Sequence, residues 1–150
     1  MYKRQTYGLH ILIRTELEID LIEGGLPAED IPAEWNKRYG ELLGIKPSND
    51  SEGCLQDVHW SEGAFGYFPS YLLGHLISAQ ISNQMEKDVG LIDNVIENGE
   101  YKKIILWLKN NIHKFGRSVN AMDLVRDVTN EELSPNYFIN HLRSKIDDFC

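Results

Sequence analysis

The sequence predicts an all-α fold: a single helical unit of about seven helices with one long irregular loop. Apolar residues recur at i, i+3 and i+4 through most of the 150 residues, the period of a helix with one buried face. No run alternates with period two for long, so no sheet is expected. Glycines and prolines fall at the ends of the apolar rows, where they start and stop helices. At 42% hydrophobic and 25% charged, the chain has the balance of a soluble globular domain long enough to bury a core.

Residues 1–23 form the first helix. Leu9, Ile13, Leu17 and Leu21 make one i, i+4 row, and Ile11, Leu12, Ile19 and Ile22 widen the apolar surface. Such coverage suggests a helix sandwiched between partners. His10, Arg14 and Glu18 make a polar row, either ordinary i, i+4 pairing or one wall of a cleft. Gly24-Gly25 ends the helix. Asp30 is a candidate N-cap, with Pro32 in the first turn and Ile31, Trp35, Tyr39, Leu42 and Leu43 at helical spacing up to Gly44.

Residues 45–66 are a long irregular segment, and its aromatics argue for order. Pro69 opens the next helix, whose apolar face is Leu72, Leu73, Leu76, Ile77 and Ile81. A short helix over 91–96 closes at Gly99. Tyr101, Ile104, Ile105, Leu108 and Ile112 form a stripe ending near Gly116. Asn120 caps a helix to about Val128. Ser134-Pro135 starts the last one, which buries Phe138, Leu142, Ile146 and Phe149.

Net charge is -8, with no Lys/Arg block to neutralise phosphates. Nucleic acid is therefore not an expected partner. No run of about 18 apolar residues is present, so no membrane span is expected, and no signal peptide is visible. Cys54 and Cys150 read as reduced thiols, which places the chain in the cytoplasm. His10, His59, His75, His113 and His141 form no HExxH pair, and CxxC is absent. No metal ligand set is expected from this chain. Cys54 lies near His59 in sequence, but neither it nor any serine has a nucleophile's setting.

The chemistry concentrates between Gly53 and Tyr71, where amide, carboxylate, imidazole, indole and two phenols fall within about twenty residues. His59 can donate to a developing oxyanion or to a substrate carbonyl, and so can Tyr67 or Tyr71. Asp57 can set a histidine tautomer or cap the turn. Trp60, Phe65 and Phe68 can wall a pocket or fill the core.

At these residues the chain resembles a known family. Gly53-Cys54-Leu55-Gln56-Asp57-Val58-His59-Trp60 matches the GxxQDxHW signature of the carboxypeptidase Taq family of zinc-dependent metallocarboxypeptidases. Residues 66–74, Thr6-Tyr7-Gly8-Leu9-His10-Ile11, Leu26-Pro27 through Ala33-Glu34-Trp35-Asn36, Trp107-Leu108 and Leu142-Arg143-Ser144-Lys145 agree in order. The family's HExxH motif, third glutamate ligand, HPF and DxRxT motifs have no counterpart here. Its (I/V)RxxAD motif falls just before Thr6, and Met1–Gln5 does not read as its end. The resemblance therefore implies the C-terminal portion of the enzyme, residues 1–150 being one segment of its catalytic domain without the metal-binding part.

In the whole family enzyme, zinc or another divalent metal activates a water, and the glutamate of HExxH acts as base. The water attacks the last peptide bond of a substrate with a free C-terminus. By analogy His59 and Tyr67 are the catalytic residues, hydrogen-bonding the substrate or the tetrahedral intermediate. Gln56, Asp57, Trp60 and Tyr71 hold the loop and the substrate. Losing one such donor costs about 2.7–4 kcal/mol, roughly a hundredfold or more in rate. The expected partners are a peptide with a free C-terminus, the missing N-terminal part of the enzyme and a second copy in a homodimer. This chain alone is expected to be inactive. The alternative is a non-catalytic helical module that binds peptides or proteins.

Overall fold

The computed structural model describes residues 2–147, with side chains described from residue 6 onward. Among the described residues there are eight α-helices and no strand: α1 (Tyr2–Ile22), α2 (Ile31–Leu43), α3 (Val58–Ser61), α4 (Phe68–Val89), α5 (Ile92–Glu97), α6 (Tyr101–Asn111), α7 (Ala121–Thr129) and α8 (Asn136–Asp147). Short 3-10 turns occupy Ala28–Asp30, Cys54–Gln56 and His113–Phe115. Seven of the helices are those that periodicity predicts. The eighth, α3, has four residues, too few to show a period. It exists because Asp57 caps it, accepting from the His59 backbone N–H at 3.0 Å. The expectations for Phe149 and Cys150 lie outside the described residues.

The chain divides into two compact units, Met1–Leu73 and Gly74–Cys150. No change of composition marks the division, because it falls inside α4.

In the first unit Ile13 and Leu17 of α1 pack on Trp35 and Tyr39 of α2 and on Cys54 of the loop. Trp35 stacks on Tyr39 at 4.5 Å and meets Trp60 edge-on at 5.7 Å. Packing covers one face of α1. Leu9, Leu12, Ile19 and Ile22 are exposed, Ile22 at 67%, so among the described residues the expected second partner layer does not cover them. Helix α2 ends where Gly44 takes φ +66°, a left-handed conformation that other residues adopt at a cost. Asp30 precedes α2 but makes no side-chain cap bond, since it closes the preceding 3-10 turn instead.

The second unit buries Met85, Val95, Trp107 and Val125. Gln80 of α4 is 1% exposed. Its amide donates to Thr129 Oγ1 at 3.0 Å and to the Glu132 carbonyl at 3.1 Å, and its oxygen accepts from the Ser134 N–H at 2.9 Å. One buried amide thus ties the α7–α8 connection to α4 with all its strong acceptors and donors engaged. Asn120 caps α7 through the Asp123 N–H at 2.9 Å, and Ser134 accepts from the Asn136 N–H at 3.3 Å. Two stripe assignments need correction. Tyr101 and Ile105 of α6 are exposed and the buried residue there is Trp107, whose indole N–H reaches Asp88. Ile146 of α8 is also exposed.

Candidate functional site

The polar row of α1 and the 53–71 segment meet in the first unit. His10, Arg14 and Glu18 stand on one face of α1, and each reaches a group outside that helix. Arg14 Nε donates to Asp57 Oδ2 at 2.5 Å, and its Nη1 donates to the Tyr39 hydroxyl at 2.5 Å and the His10 carbonyl at 3.0 Å. The guanidinium lies 4.7 Å from the Trp35 ring centre and 5.5 Å from that of Phe68. Glu18 accepts from the Trp60 indole N–H and the Gly66 backbone N–H, both at 3.0 Å.

Asp57 is the hub. Its side chain is 3% exposed and that of Arg14 16%, so the ion pair is largely desolvated and each partner depends on the other. Oδ2 takes the guanidinium, Oδ1 caps α3, and Oδ1 also lies 3.3 Å from His59 Nδ1. Capping the turn and facing a histidine, alternatives in the sequence, are both realised here.

His59 Nε2 is 3.1 Å from the Tyr71 hydroxyl, and the imidazole packs on Phe68 at 4.7 Å between ring centres. A carboxylate only accepts, so Asp57 favours the proton on Nδ1 of a neutral His59. Nε2 then accepts from Tyr71. Partial burial first, then the neighbouring Tyr67, Tyr7 and Asp57, push the Tyr71 phenol above its usual value of 10.0. Tyr71 is therefore a protonated donor at neutral pH. Burial pushes Tyr39 upward too, against the opposing pull of Arg14. Its hydroxyl accepts from Arg14 and lies 3.2 Å from His10 Nδ1, while His10 Nε2 lies 3.4 Å from Thr6 Oγ1. A chain of polar contacts thus runs from Thr6 through His10, Tyr39, Arg14, Asp57 and His59 to Tyr71.

These groups border an open cleft of about 390 Å³ whose lining includes Tyr7, His10, Arg14, Gln56, His59 and Tyr71. Of the sequence-selected residues, Gln56, Asp57, His59 and Tyr71 line it. Gln56 also ties the loop, donating to the Ser51 carbonyl. Trp60 lies behind the cleft, against Trp35, with its N–H on Glu18. Tyr67 is 52% exposed and stands beside His59 with ring centres 5.9 Å apart, whereas Tyr71 is the tyrosine that bonds His59. Cys54 belongs to the core, and burial raises its thiol pKa, the setting of an inert cysteine. In the sequence Arg14 and Glu18 stand out only through one of two readings of the polar row, a cleft wall, and Tyr39 only as an apolar-face position. The one available signal was the i, i+4 spacing of the polar row on a helix otherwise so apolar.

Among the described residues no three His, Cys, Asp or Glu side chains converge as metal ligands. His75 and His141 border a separate cavity in the second unit, and His113 sits in a 3-10 turn. The described side chains therefore do not fit a catalytic metal.

The family model for carboxypeptidase Taq (M32) metallopeptidases matches residues 4–146. Carboxypeptidase 1 of Bacillus subtilis is 44% identical over 140 residues, covering 93% of this chain and 28% of that protein. Thermostable carboxypeptidase 1 of Thermus thermophilus is 40% identical over the same length and shares. The solved structure of Pyrococcus furiosus carboxypeptidase superposes with a TM-score of 0.89 at 36% identity, over 93% of this chain and 28% of that one. The chain spans about 28% of the length of the curated relatives it matches.

Proposed function

Because the chain belongs to the carboxypeptidase Taq (M32) family of metallopeptidases, we propose that it is the C-terminal portion of a zinc-dependent carboxypeptidase. It forms one segment of the catalytic domain and supplies one wall of the groove that takes a peptide by its free C-terminus. The observation that carries this reading is the His59–Tyr71 pair, held at 3.1 Å at the edge of an open cleft and backed by a desolvated Asp57–Arg14 ion pair. The family's metal would be held by residues outside this chain, and no step at it is assigned here.

What this chain's residues do follows from their protons. Neutral His59 accepts from Tyr71, so its Nε2 has no hydrogen to offer a substrate. The single Tyr71 O–H is committed to His59 in that state. When His59 is doubly protonated its Nε2–H donates to the Tyr71 oxygen, and the freed Tyr71 O–H can donate to a peptide carbonyl and more strongly to the oxyanion that replaces it. Asp57 stands where it would stabilise an imidazolium. Tyr71 thereby takes the donor role that the resemblance implied for Tyr67, and Tyr67 stands at the rim, beside the His59 ring. Gln56, Asp57 and Trp60 hold the loop.

The test is metal analysis and peptide digestion by this chain and by a version extended upstream through the metal motif. The extended version should bind zinc and release C-terminal residues, and this chain should do neither. In the extended version Tyr71→Phe should lower kcat by about a hundredfold and Tyr67→Phe by much less. Equal effects of the two would return the donor role to Tyr67. Zinc-dependent release by the 150 residues alone would refute the fragment reading. A chain that binds peptides unchanged, with no metal motif encoded upstream, would support the second reading, a peptide-binding helical module.

A further inference from the structure

We infer that Glu18 is a positioning residue for the His59–Tyr71 pair, through a two-armed clamp that fixes the backbone on both sides of residues 61–65. This rests on the proposed role of that pair, but the clamp itself is a matter of geometry.

Glu18 is 4% exposed. Its Oε1 accepts from the Trp60 indole N–H and its Oε2 from the Gly66 backbone N–H, each at 3.0 Å. Trp60 directly follows His59. Gly66 opens the turn that leads through Tyr67 and Phe68 into the first turn of α4, where Tyr71 stands. One carboxylate therefore grips both segments whose side chains meet at the His59–Tyr71 hydrogen bond. Gly66 adopts φ +76°, and its N–H turns toward the carboxylate where most other residues would be strained. One helical turn away, Arg14 holds Asp57. Four residues of α1 rise about 6 Å, so two adjacent rungs of one rigid helix fix residues 57, 60 and 66.

The choice of residue is informative. Both donors to Glu18 are uncharged, and a buried carboxylate without a cation is costly compared with an apolar side chain of similar size. Stability alone does not select it. Two acceptors at a fixed spacing are what the position needs, and glutamine offers only one, turning its NH₂ against the other donor. What the carboxylate delivers is register between two segments distant from α1 in sequence.

Glu18→Gln in this chain tests the clamp. Exchange at the Gly66 amide should accelerate about ten- to a hundredfold. The ¹⁵N shifts of the His59 imidazole should move away from an Nδ1–H form with Nε2 accepting, toward a mixture of tautomers. Unchanged His59 shifts with faster Gly66 exchange would overturn the proposal, leaving a tie that orders the loop alone. If Glu18→Gln loses its helical circular dichroism, Trp60→Phe removes one arm and keeps the carboxylate, and its His59 shifts decide in the same way. If both variants unfold, Glu18 is a folding element and the proposal falls. In the complete enzyme Glu18→Gln should lower kcat about a hundredfold, the effect of misplacing a group by about 1 Å, with KM near wild type. Moved His59 shifts with unchanged kcat would keep the clamp and sink the catalytic reading of the pair.

Discussion

Asp57 spends its two oxygens on three neighbours: a guanidinium, a helix-capping N–H and an imidazole. Removing one member of a desolvated ion pair strands the other. Asp57→Ala should therefore cost about 3–5 kcal/mol in urea unfolding, although the contact is a single ion pair. Adding Arg14→Met should recover part of that loss, because Trp35 and Phe68 already surround the guanidinium. The phenols set an alkaline limit. Tyr39 and Tyr71 have folded pKa values raised above 10.0, so the unfolded chain ionises first as pH climbs. Their contribution is complete below about pH 10 and is lost as pH rises from there through the folded values. Urea midpoints should hold level up to that point and then fall, and Tyr39→Phe should flatten the fall. The resemblance named Asp57 and His59. Arg14 was legible only as a possible cleft wall and Tyr39 only as part of a helical stripe, because the partners that define their roles lie 43 and 25 residues away, separations at which residue spacing carries no information.

At the scale of elements, periodicity located seven helices, and capping chemistry located the starts of α7 and α8. It placed the start of α2 after Asp30 as well, although Asp30 makes no side-chain cap bond there, and it failed at α3, which a single cap holds in place. It also failed to rank faces. Tyr101 and Ile105 fit the α6 stripe, yet Trp107 is the residue buried. A helix with apolar residues on two sides does not state which side its neighbours cover. Gln80 shows the converse, a polar residue at the most buried position of α4. Gln80→Leu should leave the Ser134 N–H and the Glu132 carbonyl without their partner, at about 1–3 kcal/mol for each group. Hydrogen exchange at the Ser134 amide should accelerate, while exchange within α1 should stay unchanged.

For the whole molecule, α1 is the informative surface. Its buried face is filled, and Leu12, Ile19 and Ile22 on the others are exposed. Exposed apolar surface of this kind drives association, so the isolated chain should sediment above its 17.3 kDa monomer mass at high concentration. Leu12→Ser with Ile19→Ser should return it toward monomer. A wild-type monomer at all concentrations would count against a homodimer.

The sequence by itself determined the helical class, the position of most helices, the family and some of the residues at the cleft edge, because a helix period and a contiguous motif are local properties. Only the tertiary structure decided which tyrosine bonds His59, which faces are buried, and that Arg14 and Glu18 hold the motif from α1. Those outcomes depend on hydrogen bonds and packing between segments 12 to 48 residues apart, and no local pattern encodes where a folded chain brings them together.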